Sequence, residues 1–237
     1  MLDSADFLLV HSPLVGPSTW SGVAEELIAR GRGAVVPSLR TSARSSGPFW
    51  SRQAKAAVSA AADSGQVLIV GHSGAGALLP VIGQGLGERL TGYVFVDAGL
   101  PTCGGSWLDS ARPALVERLR ALVKDGLVPP WHEWFGGEAA LTQLLPDADE
   151  RHAFVAELDP LPWEMLQEAR PPCPEWPQTP VGYLRLSEGY DADADAAENR
   201  GWPCRRIDGH HLSTVTEPGR IVDDLLELEK ALAGPLA

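Results

Sequence analysis

Two kinds of hydrophobic patterning alternate along the chain. Residues 7–10 and 67–70 are short, wholly apolar runs ending at turn-forming residues, the pattern of parallel strands buried on both faces. Less pure runs at 34–36, 93–96 and 181–186 fit the same reading, and 203–207 is expected to form a last, more polar strand near a sheet edge. Between them the apolar spacing turns helical: at 20–30, through Val23, Leu27 and Ile28, at the alanine-rich 51–62, at 75–86 and at 221–232. This alternation predicts an α/β fold of about six mainly parallel strands with helices on both faces.

The pattern breaks between Pro101 and Pro180, where prolines cluster and no clean strand run occurs. Helical stretches are expected there at 110–124, 138–145, 149–158 and 163–169. Five of the eight tryptophans also fall in this stretch: Trp107, Trp131, Trp134, Trp163 and Trp176. The expected organisation is therefore one domain. Residues 1–100 and 179–237 form its core, and 101–178 form a helical cap inserted before the penultimate strand. For any single tryptophan, packing the insert onto the core is the commoner use than touching a ligand. The acidic, alanine-rich run at 191–197 is expected to be a solvated helix start.

Composition removes several classes of function. A chain of 237 residues with 44% hydrophobic content has enough apolar surface for a sizeable core. Its three cysteines, Cys103, Cys173 and Cys204, are widely spaced and in no metal-ligand pattern, so neither a disulfide framework nor a zinc site is expected, and a reducing cytoplasm fits best. Residues 1–6 carry two aspartates and no basic region, which is wrong for a signal peptide, and no apolar segment is long enough to span a bilayer. A net charge of -12 disfavours nucleic acid and anionic membranes as partners, and Arg205-Arg206 is too short to form a basic patch.

Chemistry concentrates at the turn Gly71-His72-Ser73-Gly74-Ala75-Gly76, which follows the run 67–70 and precedes a helix. A serine on a sharp strand-to-helix turn has its hydroxyl exposed at the sheet edge, and small neighbours let strand and helix approach closely. The distal glycine of the usual Gly-x-Ser-x-Gly pattern is alanine here, with glycine directly behind it. Pro80 removes a backbone donor early in the following helix and is expected to kink it. The turn lacks both phosphate-binding glycine patterns, so Ser73 is read as a nucleophile and no cofactor is expected.

A serine hydroxyl needs a base, and histidine has the pKa for the task. Of six histidines, His210 and His211 alone lie where the last core strand gives way to a loop before the C-terminal helix, with His72 in the turn expected to point away from the nucleophile. The string Ile207-Asp208-Gly209-His210-His211-Leu212, followed by Glu217-Pro218, resembles the histidine loop of the α/β-hydrolase superfamily, and most of all its hydroxynitrile lyase and plant methylesterase branch. The resemblance extends to the opening at 7–20 and to the turn at Ser73. It implies an α/β-hydrolase fold with His211 as the catalytic histidine.

The third triad member must be a carboxylate at the same sheet edge, where it orients the imidazole and stabilises its cation. In most of the superfamily it follows the strand ending here at Ser187. The usual position falls on Gly189 or Tyr190, flanked by Glu188 and Asp191. The alternative is Asp97, after the run 93–96, in a string resembling the site some lipases use. Glu188, Asp97 and Asp191 stay open, in that order.

Acyl transfer also needs donors for the developing oxyanion. Gly74 is expected to supply one N–H. Pro13 stands where the resemblance places the second and has no N–H, which leaves Leu14, by a shift of one residue, or the Ser12 hydroxyl. A threonine at the position of Ser12 takes part in the chemistry of the lyase branch. Three readings follow: a serine hydrolase acting on an ester, thioester or lactone of a hydrophobic small molecule; a non-hydrolytic lyase or cyclase using Ser73 and His211 for proton transfer; and a non-catalytic small-molecule receptor.

Overall fold

The computed structural model describes residues 5–40, 46–102, 104–170 and 179–234. In chain order its elements are β1 (Asp6–Val10), α1 (Ser18–Ala29), β2 (Ala34–Val35), α2 (Phe49–Ala60), β3 (Val67–His72), α3 (Leu79–Leu86) and β4 (Leu90–Val96). There follow α4 (Trp107–Ser110), α5 (Pro113–Leu122), β5 (Leu127–Val128), α6 (Glu138–Leu144), α7 (Ala148–Val155), β6 (Leu161–Pro162) and α8 (Trp163–Gln167). The chain closes with β7 (Val181–Arg185), α9 (Asp191–Glu198), β8 (Cys204–Arg206), α10 (Ser213–Thr216) and α11 (Pro218–Leu232). Six strands form one sheet in the order β2-β1-β3-β4-β7-β8, every pair parallel.

The apolar runs read as continuous because both faces of the central strands are covered. Alternation along β1 and β3 sends Leu8, Val10 and Ile69 to one face, with Ala57 of α2 and Ile82 of α3. Phe7, Leu9, Leu68 and Val70 go to the other, with Trp20 of α1 and Ile221 of α11. The more polar β8 lies at a sheet edge, where one side needs no partner.

The segment between β4 and β7 departs from its expected form in two ways. The helix expected over 110–124 is shortened to α5, which Pro113 opens, and a separate short helix, α4, precedes it, started by reciprocal bonds between Ser106 and Asp109. The segment also holds an antiparallel ribbon, β5-β6, that the sequence did not suggest. Two-residue strands are too short to show alternation, and prolines flank them. Trp134 is completely buried and Trp163 packs against the same apolar cluster, whereas Trp107 and Trp131 reach a cavity over the sheet edge. Cys103, Cys173 and Trp176 lie outside the described residues.

The insert is tied to the core at the starts of two helices. Prolines precede both α1 and α2, and neither helix has a side-chain cap of its own. The Glu157 carboxylate accepts the N–H of Ser18 at 2.7 Å. The Glu168 carboxylate accepts those of Phe49 and Trp50 at 2.8 and 2.9 Å. Two acids of the insert thus satisfy donors that a helix cannot pair internally, and they lie at the positive ends of the helix dipoles.

Candidate active site

β3 delivers Ser73 into a left-handed conformation, φ 57°, at the head of a 3-10 helix spanning Ser73–Leu78. Such a backbone costs about 1–3 kcal/mol for a residue other than glycine, and the surrounding packing must hold it. A Cβ at Gly71 would meet the Leu79 side chain at 2.5 Å, and one at Gly76 would collide with the Gly99 carbonyl oxygen. Gly76, rather than Ala75, is therefore where the turn needs a bare backbone. Pro80 causes no kink, because the 3-10 segment delays the α-helix until Leu79 and leaves proline in its first turn, where no intrahelical bond is lost.

Residue 72 pairs with residue 96 on the neighbouring strand, so Ser73 and Asp97 leave adjacent strands side by side. Asp97 is also left-handed, φ 43°, and is fully buried. Its Oδ1 accepts the N–H groups of Leu186 and Ser187 at 2.8 and 3.0 Å. Its Oδ2 accepts the Ser187 hydroxyl at 2.6 Å and His211 Nδ1 at 2.8 Å. Burial alone would raise its pKa, but the hydrogen bonds from His211 and Ser187 hold it below the usual aspartate value, so the carboxylate is ionised. With Nδ1 donating to Asp97, His211 Nε2 is free to accept the Ser73 hydroxyl at 3.0 Å.

Glu188 does not join this group. It is exposed, at the first position of the 3-10 turn Glu188–Tyr190, whereas Asp97 holds the contact with His211. Asp191 heads α9 and pairs with Arg185 at 2.7 Å. The physical reason lies in the end of β7: the N–H groups of Leu186 and Ser187 bind the Asp97 carboxylate, and the chain then turns so that a ring, not an acid, covers the imidazole. That ring is Tyr190. It stacks on His211 with centroids 5.1 Å apart and planes 6° from parallel.

Two other histidines shape the site from beneath. His72 Nε2 donates to the His211 carbonyl at 2.8 Å, and the two rings are 4.6 Å apart. Burial and the neighbouring His211 push its pKa down to about 3, so it is a neutral brace for the His211 backbone. His11, whose pKa burial lowers to about 4, donates from Nδ1 to the Ser12 carbonyl and accepts the Leu39 N–H at Nε2, fixing the loop after β1. Sequence reasoning missed Ser187, Tyr190 and the brace at His72. A histidine directly before Ser73 was the one available signal for the last.

In the loop after β1, Leu14 does not provide a shifted donor: its N–H points to the Ser12 hydroxyl at 3.3 Å. Ser12 is 2% exposed, and a Cβ added at Gly74 would lie 2.8 Å from its Oγ. Ser73, Gly74 and His211 open into a cavity of about 610 Å³ whose walls include Trp50, Trp107, Trp131 and Phe135. Arg170 lines it too, donating to the Thr102 hydroxyl at 2.7 Å. Among the described residues no group of three or more His, Cys, Asp or Glu could hold a metal ion, and no helix is long and apolar enough to cross a membrane.

Comparison with known proteins places the fold in a family. The model of the alpha/beta hydrolase family matches residues 7–224. No curated protein sequence matches. Among solved structures, an extracellular alpha/beta-hydrolase from a Paenibacillus species, described as sharing structural and functional homology with tobacco salicylic acid binding protein 2, superposes with a TM-score of 0.77 at 18% identity, covering 95% of this chain and 99% of that one. A pyrethroid hydrolase from Sphingobium faniae gives 0.68 at 16% identity, covering 97% and 98%. Polyneuridine aldehyde esterase gives 0.67 at 14% identity, covering 95% and 99%.

Proposed function

Because the chain belongs to the alpha/beta hydrolase family, we propose that it is a serine hydrolase cleaving an ester, thioester or lactone of a hydrophobic small molecule. The observation that carries this reading is His211, within hydrogen-bond reach of Ser73 on one side and of Asp97 on the other, at the floor of an aromatic-walled cavity. Nucleophile, base and orienting acid in that relation are what a covalent acyl-enzyme mechanism requires. His211 takes the Ser73 proton as Oγ attacks the carbonyl, and returns it to the leaving group. Asp97 holds the imidazole tautomer and stabilises its cation. Water then enters by the same route and frees the acid.

In this proposal residues 101–178 act as a cap that sets substrate choice, with Trp107 and Trp131 as contacts for a flat or branched apolar group. Cysteine usage supports action in the cytoplasm. The decisive experiment treats the protein with a fluorophosphonate and locates the adduct by peptide mass spectrometry. Labelling at Ser73, absent in Ser73→Ala, together with a burst of p-nitrophenol from a p-nitrophenyl ester, is the expected result. An unlabelled protein with no turnover of activated esters sinks the proposal. Pro13 favours a second reading, non-hydrolytic proton transfer by Ser73 and His211, in which no strong oxyanion forms. That reading predicts no acyl-enzyme.

A further inference from the structure

The reaction proposed above passes through an oxyanion, and neither Pro13 nor Leu14, in the loop after β1, offers it a free N–H. Pro13 has no N–H, and that of Leu14 is engaged by Ser12. The Ser12 side chain is 2% exposed and does not line the cavity. Tyr190 does. It borders the cavity together with Ser73, Gly74 and His211, its ring lies parallel to the imidazole, and its hydroxyl lies close to the Ser73 side chain.

We propose that Tyr190 is a catalytic residue whose hydroxyl supplies the second hydrogen bond to the oxyanion, beside the N–H of Gly74. Burial raises the phenol above its ordinary pKa, so it stays protonated at neutral pH and serves as a donor. In the free enzyme that hydroxyl lies close to Ser73. During attack the Ser73 proton passes to His211 Nε2, the bond from carbonyl carbon to Oγ forms, and the carbonyl π pair moves onto the carbonyl oxygen. The new anion and Oγ share one carbon, so the Tyr190 hydroxyl, close to Oγ, is within reach to donate its hydrogen bond to the anion. Tyr190 keeps its proton throughout. Collapse breaks the bond to the leaving group, which takes the proton from His211.

The position is open to a tyrosine because the acid comes from elsewhere. With Asp97 supplying the carboxylate, the loop after β7 is released from that duty, and its ring anchors on the imidazole. The stack fixes the ring by aromatic contact and leaves the hydroxyl to donate within the cavity.

This inference rests on the hydrolase reading, and the two fail differently. Tyr190→Phe keeps the ring and its stacking and removes the hydroxyl alone. The expected result is about a hundredfold fall in kcat on a p-nitrophenyl ester, with KM within about twofold and an unchanged melting temperature, the size of effect seen when one oxyanion donor is removed. Affinity for a trifluoromethyl ketone, which forms the tetrahedral adduct, should fall by a similar factor, while that for the corresponding methyl ketone should not. A purely structural tyrosine would move both alike. If Tyr190→Phe keeps kcat within about threefold, or if Ser12→Ala shows the hundredfold loss in its place, the proposal is overturned while hydrolysis stands. A wild-type protein that neither labels nor turns over overturns both.

Discussion

Strands β4 and β7 lie side by side and end at the same edge of the sheet, yet their ends do opposite work. β4 finishes in a buried carboxylate that receives four hydrogen bonds, two of them backbone N–H groups from the end of β7. β7 finishes in those donors, then an exposed glutamate, then a tyrosine stacked on His211. Adjacent parallel strands bring either end within reach of the imidazole, so position along the chain does not choose the carboxylate that pairs with His211. What chooses it is the supply of donors. A buried carboxylate needs several hydrogen bonds to stay ionised, and β7 offers them to β4.

The sharpest way to break this comparison is Asp97→Asn, which leaves the shape and removes the charge. A loss of about 10⁴ in kcat is expected, by analogy with the triad asparagine substitution whose magnitude is known from serine proteases. Activity within tenfold of wild type would return the acid to the β7 loop.

Acid titration comes next. His11 and His72 have folded-state pKa values of about 4 and about 3, below the ordinary 6.5, so the unfolded chain binds more protons in between. Their stabilising contribution is complete above about pH 6.5 and is lost as pH falls, on the order of 4 kcal/mol between pH 8 and pH 5. Asp97, also held below its usual value, adds a further loss at lower pH. Urea unfolding at both pH values measures the first loss, and equal stabilities would contradict the neutral buried histidines.

Ser187→Ala removes one of the bonds that β7 gives β4. It should lower stability by about 1.5 kcal/mol, the cost of a hydrogen bond to a charged group, and kcat by roughly tenfold. Glu188→Gln should change neither kcat nor its pH profile beyond about twofold. A larger effect would mean that the exposed turn visits the imidazole.

The residues that could be read from the sequence are those whose context is local. The runs at 7–10 and 67–70 became β1 and β3 because burial on both faces leaves no polar position in them. Ser73 and His211 were visible because each sits at a strand end with small neighbours, and the structure brings them to 3.0 Å. The partner of His211 was not legible, because Asp97 is distinguished from Glu188 by bonds to Leu186 and Ser187, about ninety positions away. The insert was legible as helices but not as a ribbon, since β5 and β6 are two residues each and find one another across more than thirty positions.

The glutamates at the starts of α1 and α2 bear on how such a protein can diversify. An insert that merely rested on the sheet could be exchanged between relatives as a module, carrying its substrate preference with it. Here Glu157 and Glu168 complete helices that belong to the core, so an exchanged segment would have to bring two carboxylates to the same two places or leave those helix ends bare. Under the proposed function, new specificity is thus more accessible by changing side chains within the insert, at Trp107 or Trp131, than by replacing it.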